Sequence, residues 1–456
     1  MLTIAGPTVA TMVSYTAMQF TDKLIVSQIG PDPIYVGAQG NGGLAAFVPI
    51  SIAMGLLTVV NTYVAQNMGA GRPERGPAYA WNGLWIAAAF WAVVLVPFAF
   101  ALPWVFRVAG VDPAQAELGA EYGRILLLGA VLTMWTRGLS QFFYGMHRAS
   151  IVLIAGVVAN VINLALAWAL VFGKFGLPAL GVAGSGYATV IATGVELLIP
   201  LAVFLGPKFN ALYQTRSQWR PSMPHVRDLV RLGWPGGMMF GNEMICWGYF
   251  MVYLVSHFGR EHATAGWIAH QYMSLSFMPA VGVSVACTAL VGKYMGMGRP
   301  DLAARRAWLG LVVALAYMGL CAVLFIVFRG PMIRLFIEAD TPPDVAARVV
   351  ALGSTFLIAT ATFQLFDAIA MTLSGALRGA GDTVVPGVFT LGLSWLVIVG
   401  GGTAMVRVYG DELESLGPWI AAAAYIAILG MFLLWRFMSG RWKSIRLLDR
   451  AAVTAH

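Results

Sequence analysis

Apolar stretches of about 20 residues or more recur from one end of this chain to the other. An α-helix of about 20 residues crosses the ~30 Å hydrocarbon layer of a bilayer, where only helices and closed barrels satisfy their own backbone hydrogen bonds. Of the 456 residues, 59% are hydrophobic and only 11% are charged, a composition that an ordinary soluble domain does not reach. We therefore predict an all-α integral membrane protein.

Clusters of Gly, Pro, Asp and Arg divide the apolar part of the chain into twelve predicted transmembrane helices. Each predicted helix is long enough to cross the hydrocarbon layer. The predicted spans are 2–29, 43–68, 78–106, 118–143, 150–172, 182–206, 232–258, 265–295, 304–329, 349–374, 383–407 and 418–439.

Lys and Arg residues are distributed unequally between the two ends of these predicted helices. Most of them lie in the connections that follow even-numbered spans and in the C-terminal tail, for example Arg72, Arg75, Arg216 and Arg220. Because basic loops remain in the cytoplasm, we expect both termini to be cytoplasmic. The net charge of +8 then marks orientation and attraction to anionic membrane lipid, and it requires no nucleic-acid partner.

One motif occurs twice, 227 residues apart: Met68-Gly-Ala-Gly-Arg-Pro-Glu74 reappears as Met295-Gly-Met-Gly-Arg-Pro-Asp301. This repeat predicts two homologous halves of six helices each. Because six is even, both halves enter the membrane in the same sense, as parallel repeats about an axis along the membrane normal. The predicted domains are an N-terminal six-helix bundle (1–205), a cytoplasmic linker (206–231), a pseudo-symmetric C-terminal six-helix bundle (232–440) and a basic cytoplasmic tail (441–456).

Two bundles with a cleft between them suit a transporter that rocks about a central site. Duplication also builds channels and membrane-embedded enzymes. However, the sequence contains no P-loop, the six His residues form no metal-ligand pattern, and no nucleophile or acid–base cluster is visible near an interface. We therefore expect a secondary transporter that needs neither ATP nor a bound cofactor.

Four acids lie well inside predicted spans: Asp22, Glu196, Glu243 and Asp367. A carboxylate near the bilayer midplane costs a few kcal/mol, so each of these acids needs a partner, a proton, an ion or a water-filled cavity. Glu243 and Asp367 lie at similar predicted depths, about 5 Å apart along the membrane normal. They could share one proton or one cation, and Na⁺ is a candidate.

Aromatic and adaptable side chains share helix faces with these two acids, as recognition of a large lipophilic cation would require. The same side chains could equally be bulk that faces lipid or the bundle core. The residues assigned to a substrate-binding surface are Met239, Phe240, Trp247, Phe363 and Gln364.

In the first half of the chain, polar side chains of two later spans could serve Asp22 as ligand partners. Asn160 and Asn163 lie three residues apart in span 5, and Thr189 lies in span 6. Amide and hydroxyl groups suit either a protonated carboxyl or a small desolvated cation. The alternative for the two Asn residues is hydrogen bonding between helices.

Arg137 occupies the position of the first half that corresponds to Asp367 in the second. Its predicted depth is within about 6 Å of that of Glu196. We interpret Arg137 and Glu196 as a structural ion pair, and a further proton site at Glu196 is the functional alternative.

Longer stretches of the chain resemble a known family. They are Val171-Phe-Gly-Lys-Phe-Gly-Leu-Pro-Ala-Leu-Gly-Val-Ala-Gly-Ser-Gly-Tyr-Ala-Thr189, Leu232-Gly-Trp-Pro235, the two Met-Gly-x-Gly-Arg-Pro turns, and Asp367 followed by Gly375-Ala-Leu-Arg-Gly-Ala-Gly-Asp-Thr383. Together they resemble the multidrug and toxic compound extrusion (MATE) transporters, most closely the NorM-type bacterial branch. The resemblance extends from Pro7 to about residue 440.

This resemblance implies a twelve-helix antiporter of the bacterial cytoplasmic membrane that expels organic cations as Na⁺ or H⁺ enters, and we expect a monomer. It assigns ion coupling to Asp22, Asn163, Glu243 and Asp367, which match the family's acids of helices 1, 7 and 10 and its amide of helix 5. A flippase for a lipid-linked sugar is the related alternative. Its large anionic substrate would favour several cavity arginines, whereas only Arg137 lies well inside a span.

Overall fold

A computed structural model describes residues 2–30, 34–337 and 341–448. Within these ranges the chain is helical and contains no β-strand. Ten of its helices are long and apolar enough to cross a membrane. The prediction of an all-α integral membrane protein is therefore confirmed.

Twelve long helices follow one another in the described ranges, as predicted. Ten of them are the apolar spans, and the other two are the first and seventh, which carry the intramembrane acids Asp22 and Glu243. In chain order the helices are α1 (Leu2–Ser27), α2 (Ile34–Gly69), α3 (Pro73–Val108), α4 (Pro113–Gly145), α5 (Ala149–Phe172), α6 (Gly181–Leu205), α7 (Met223–Tyr249), α8 (Arg260–Gly296), α9 (Pro300–Val327), α10 (Pro343–Ala380), α11 (Val384–Leu413) and α12 (Leu416–Met438).

Several helices begin earlier than the sequence predicts. The Gly- and Asn-rich start of α2 is helical because it lies very close to α4: a Cβ on Gly123 would be 2.9 Å from the carbonyl oxygen of Gly42. α4 begins at Pro113, where the Asp112 carboxylate accepts hydrogen bonds from the backbone N–H groups of Ala114 (3.1 Å) and Gln115 (3.2 Å). Such a cap satisfies donors that the first helical turn leaves unpaired.

The connection between α6 and α7 is partly helical and is attached to α3. It contains the short helix Pro207–Tyr213. The indole N–H groups of Trp81 and Trp85 donate hydrogen bonds of 2.7 Å to the backbone oxygens of Thr215 and Trp219, respectively. Because the two Trp residues are one turn apart and the two acceptors are four residues apart, these bonds hold the connection along one face of α3.

The described residues form two compact units. The amino-terminal unit contains residues 2–241, 292–299 and 446–448, and the carboxyl-terminal unit contains residues 242–291 and 300–445. The boundary between units therefore lies within α7. The domains predicted from the repeat are divisions of sequence, whereas these units are groups of packed helices, so the predicted domain division stays a prediction.

Glycine contacts explain why the first part of α7 belongs to the amino-terminal unit. A Cβ on Gly233 would lie 2.6 Å from the backbone oxygen of Leu56, and one on Gly236 would lie 2.9 Å from that of Gly55. Only glycine lets α7 approach the α2 backbone this closely.

Aromatic packing forms the centre of the carboxyl-terminal unit. Trp419 of α12 is fully buried, stacks on Phe356 of α10 with centroids 5.3 Å apart, and meets the ring of Phe250 edge-on at 5.2 Å. These rings belong to one apolar cluster that also contains residues of α8, α9 and α11. The cluster fixes α7 and α10 relative to each other and so positions the acids that they carry.

Candidate functional site

A cluster around Asp22 joins three helices of the amino-terminal unit. The Thr189 hydroxyl of α6 lies 3.4 Å from Asp22 Oδ2 and 3.0 Å from the backbone oxygen of Ser185, so one hydrogen is shared between two acceptors. The Asn163 amide of α5 donates a hydrogen bond of 3.4 Å to the same hydroxyl. The structure therefore brings together three side chains that the sequence assigned to one coupling site.

The cluster contains oxygen atoms with unused hydrogen-bonding capacity. Asp22 Oδ1 and Asn163 Oδ1 are buried, and neither has a hydrogen-bond partner in the described part of the chain. A buried carboxylate or amide oxygen without a partner is costly, so a native protein usually supplies a proton, a cation or water. These donor atoms suit either a proton on Asp22 or a small hard cation.

Sequence reasoning missed Gln39, which adds a third unused oxygen to this region. Its amide donates a hydrogen bond of 3.2 Å to the Ser185 hydroxyl, while its Oε1 is buried and unpartnered among the described residues. A Gln beside an apolar run was the available signal, but the start of α2 was assigned to a connection. The tyrosine Tyr122 completes this side of the cluster beside Gln39 and Ser185.

Asn160 does not join the Asp22 cluster. Its amide donates hydrogen bonds to the Ser14 backbone oxygen, at 2.8 Å, and to the Ser14 hydroxyl. Ser14 lies two turns before Asp22 on α1, so Asn160 ties α5 to α1 at a different level. The amide nitrogen of Asn160 therefore makes the hydrogen bonds between helices that were the alternative for this residue, while its buried Oδ1 has no partner among the described residues and its ligand role stays a prediction.

Glu243 and Asp367 form the second acidic region, in the carboxyl-terminal unit. Both are partly buried, and neither carboxylate makes a hydrogen bond or ion pair with a residue that the structure describes. Their charges are close enough to repel each other, and the buried Tyr425 of α12 is near both. A pair of acids without a basic partner attracts a proton or an external cation.

The five residues assigned to substrate binding have different environments. Met239 and Phe240 belong to the amino-terminal unit, and the Phe240 ring is 36% exposed. Trp247 is partly buried against the aromatic core, where its ring meets Phe250 edge-on at 5.3 Å.

Phe363 and Gln364 are only 1% exposed, and Phe363 belongs to the apolar core of its unit. The assignment of Phe363 to an accessible surface is therefore corrected to core packing. Gln364 donates a hydrogen bond of 2.9 Å to Ser276, and its buried Oε1 has no partner among the described residues. It remains a polar group close to Asp367 in sequence, facing the unit's interior.

Asn242, adjacent to Glu243 on α7, is a further polar residue that sequence reasoning missed. It donates a hydrogen bond of 2.7 Å to the Ser394 hydroxyl and accepts one of 2.7 Å from the Trp395 indole. Both partners lie at the start of a π-helical segment of α11, Ser394–Gly401. These two bonds hold α11 beside the helix that carries Glu243.

Arg137 and Glu196 are joined through a third residue and not by direct contact. The Tyr15 hydroxyl donates a hydrogen bond to Glu196 Oε1, and the Arg137 guanidinium lies over the Tyr15 ring, 4.1 Å from its centroid. No ion pair within 4.0 Å links Arg137 to Glu196 in the described residues. The predicted ion pair is corrected accordingly: each of the two charged side chains contacts Tyr15, Glu196 at its hydroxyl and Arg137 at its ring face.

An open apolar groove adjoins the Asp22 cluster. Its lining residues are Ile25 of α1 and Val161, Leu164, Ala165 and Trp168 of α5. Ile25 follows Asp22 by almost one helical turn, so apolar surface and the buried acid lie side by side.

One family model and several multidrug resistance proteins match most of this chain. The MatE family model matches residues 7–169 and 240–401, so the match covers both halves of the chain. The "Probable multidrug resistance protein NorM" of Pseudomonas putida is 31% identical over 462 residues, covering 99% of this chain and 96% of that protein. The protein of the same name from Mesorhizobium japonicum is 29% identical over 444 residues, covering 96% and 92%.

Solved structures show the same fold at lower identity. A MOP superfamily transporter from Pyrococcus furiosus has a TM-score of 0.87 at 20% identity, covering 97% of this chain and 96% of its own. The eukaryotic MATE transporter AtDTX14 has a TM-score of 0.84 at 18% identity, covering 100% and 98%.

Proposed function

The chain belongs to the MatE family, and we propose that this multidrug efflux transporter exports lipophilic organic cations in exchange for Na⁺ or H⁺. As a secondary transporter it draws its energy from an ion gradient across the membrane. We place it in the bacterial cytoplasmic membrane as a monomer with both termini in the cytoplasm, in accordance with its basic loops.

The observation that carries the proposal is the Asp22 cluster. A buried carboxylate and a buried amide each present an oxygen without a partner among the described residues, next to a hydroxyl that can donate or accept. Binding of a cation, or of a proton to Asp22, would remove the cost of burying these oxygens. Asp22, Asn163 and Thr189 are therefore the proposed coupling site of the amino-terminal unit, with Gln39 as an added oxygen donor.

Glu243 and Asp367 are the proposed counterpart in the carboxyl-terminal unit. Two carboxylates that repel each other are stabilised by one positive charge, whether that charge belongs to Na⁺, a proton or a cationic drug. Competition between the coupling ion and the drug for this negative charge produces exchange. Alternating access follows if each ligand binds one conformational state better than the other.

Transport by purified protein in liposomes tests the proposal. Vesicles loaded with ethidium are given a Na⁺ gradient and an H⁺ gradient in separate experiments, with protein-free vesicles as the control. Efflux should follow at least one inward cation gradient and need no ATP. Ethidium efflux that requires ATP and ignores both gradients would refute the proposal.

A further inference from the structure

We propose that Glu196, together with Tyr15 and Arg137, forms a second proton-binding site in the amino-terminal unit, two helical turns from Asp22 and closed to metal cations. The inference rests on the proposed ion coupling, because it places a further acid next to the Asp22 site. Compared with Asp22, the site lies closer to the first residues of α1 and to the last residues of α6. These are the cytoplasmic ends of the two helices in the proposed orientation.

Tyr15 and Glu196 contact each other inside the amino-terminal unit. Both side chains are buried, at 8% and 7% exposure, and the Tyr15 hydroxyl donates a hydrogen bond to Glu196 Oε1. A structural acid in a membrane bundle would be expected to contact a base directly. The direct partner of Glu196 is instead a neutral hydroxyl, which can serve both the charged and the protonated carboxyl.

Arg137 lies against the same tyrosine. Its guanidinium is held over the Tyr15 ring at 4.1 Å and forms no hydrogen bond or ion pair with a described residue. The nearby positive charge therefore favours the Glu196 carboxylate, while burial favours the protonated form. Because these two effects oppose each other, this arrangement accommodates both the charged and the protonated form of Glu196.

The surroundings of Glu196 favour a proton over a metal ion. A hard cation such as Na⁺ needs several oxygen ligands, whereas Glu196 contacts the phenol oxygen of Tyr15 and has the buried phenol of Tyr144 nearby, and two neutral phenols are a poor ligand set. The nearby guanidinium also repels any other cation. A proton needs only the carboxylate itself. The Asp22 cluster differs in its ligands, because it offers unpartnered carboxylate and amide oxygens of Asp22 and Asn163.

Two shared helices connect Asp22 with Glu196. Tyr15 and Asp22 are seven residues apart on α1, and Thr189 and Glu196 are seven residues apart on α6, so each pair shares a helix face about 10 Å long. Thr193 lies between the two α6 residues, and its hydroxyl donates a hydrogen bond of 2.8 Å to the Thr189 backbone oxygen. Hydroxyl groups therefore line the interval between the acids. A proton that leaves the Asp22 carboxyl returns that group to carboxylate, and its arrival at Glu196 neutralises the second carboxylate.

Infrared spectroscopy of the purified protein measures this site directly, because a protonated carboxyl has its own C=O stretching band. During a pH titration the wild-type protein should show a carboxyl band that is missing from Glu196→Gln and retained in Glu121→Gln, a matched loss of an exposed acid on α4. Addition of Na⁺ at constant pH should leave the Glu196 band unchanged. A complete wild-type band in folded Glu196→Gln, or a Glu196 band that disappears when Na⁺ is added, would overturn the proposal.

A second variant covers the case in which Glu196→Gln fails to fold. Tyr15→Phe keeps the carboxyl and removes its hydrogen-bond donor, so the midpoint of the Glu196 band should move by about one pH unit. An unchanged midpoint would contradict the proposed site.

Transport provides the functional test of the same site. Efflux driven by an H⁺ gradient should fall at least about tenfold in Glu196→Gln, while equilibrium ethidium binding stays within about twofold of wild type. Wild-type H⁺-driven efflux in this variant would contradict the proposed role. Wild-type protein that responds to no ion gradient would instead refute the proposed antiport, and the infrared titration would still decide whether Glu196 binds a proton.

Discussion

The hydroxyl of Thr189 lies 3.4 Å from Oδ2 of Asp22, and this contact joins α6 to α1 inside the amino-terminal unit. The other carboxylate oxygen of Asp22 is buried and has no partner among the described residues. One half of the carboxylate is thus held in place by the protein, and the other half makes no hydrogen bond within the described part of the chain. This division is what a reversible ion site requires, because the protein orients the ligand without satisfying it completely.

Replacement of Asp22 by Asn should separate coupling from stability. Ion-driven ethidium efflux should fall at least about tenfold, because the neutral amide no longer attracts the coupling ion. The melting temperature should not fall, since an unpartnered buried carboxylate is removed. Efflux and thermal unfolding of the purified protein measure the two effects. Unchanged ion dependence in a folded Asp22→Asn protein would refute this assignment.

The two amides of α5 should give opposite results. Asn160→Ala loses the hydrogen bonds to Ser14 and should lose about 0.5–2 kcal/mol of stability while keeping its ion dependence. Asn163→Ala removes an oxygen beside Asp22 and should weaken the response to the coupling ion. Each variant is the control for the other, with thermal unfolding and ion-dependent efflux as the measurements. The same loss of ion response in both variants would contradict the different roles assigned to the two amides.

Asp367→Asn should weaken both the response to the coupling ion and drug efflux. In this variant the pair has lost one of its two negative charges, and we propose that the coupling ion and the drug compete for those charges. Asp344→Asn is the matched control, because it removes an exposed acid from the start of the same helix. Ion-dependent efflux from vesicles measures both variants. Cation dependence that stays at the wild-type level in Asp367→Asn would show that the acid is not a coupling residue.

Gly69→Ala should destabilise the protein by about 1–3 kcal/mol. A Cβ at Gly69 would overlap the backbone oxygen of Lys293, where the last turn of α2 crosses the last turn of α8. Gly40→Ala is the control on the same helix: nothing lies within 4 Å of its added Cβ, and it should be neutral or stabilising by up to about 1 kcal/mol. Thermal unfolding compares them. Equal melting temperatures would indicate that the crossing adjusts without cost.

His225 should make stability depend on pH at the amino-terminal end of α7, in the turns that precede the predicted span. Burial lowers the pKa of His225, whose ring lies edge-on to Tyr79 at 4.8 Å, and burial also raises the pKa of Asp228, which accepts a hydrogen bond of 3.3 Å from Tyr79. Since folding favours neutral His225, its contribution is present above the ordinary histidine pKa of about 6.5 and is lost as the pH falls.

The measurement is the melting temperature between about pH 7.5 and 5.5, the range in which an unfolded histidine takes up its proton. His225→Gln should flatten the decrease on the acid side, whereas the exposed His257→Gln should leave it unchanged. Asp228 works in the opposite direction, because its raised pKa stabilises the fold at acid pH and that contribution is lost as the pH rises. An identical acid-side decrease in His225→Gln and wild type would refute the assignment to His225.

The twelve helices could be predicted from the sequence because the bilayer imposes a length and a composition on every span. Because the bilayer also disfavours charged side chains, acids inside the spans are rare and easily recognised. Asp22, Glu243 and Asp367 could therefore be selected without coordinates. The early start of α2 was missed, since its Gly and Asn residues are also typical of turns. Those residues are helical here because they allow α2 and α4 to approach closely.

What the chain determined by itself was therefore the number of spans and the faces on which acids and amides lie, because helix length and periodicity are local properties. Tertiary structure alone decided which neighbour each polar group meets. Asn160 contacts Ser14 while Asn163 reaches Thr189, although both amides lie on one helix three residues apart. Tyr15 contacts both Arg137 and Glu196 for the same reason. Periodicity specifies a direction from the helix axis, but the partner found in that direction depends on how separate helices pack.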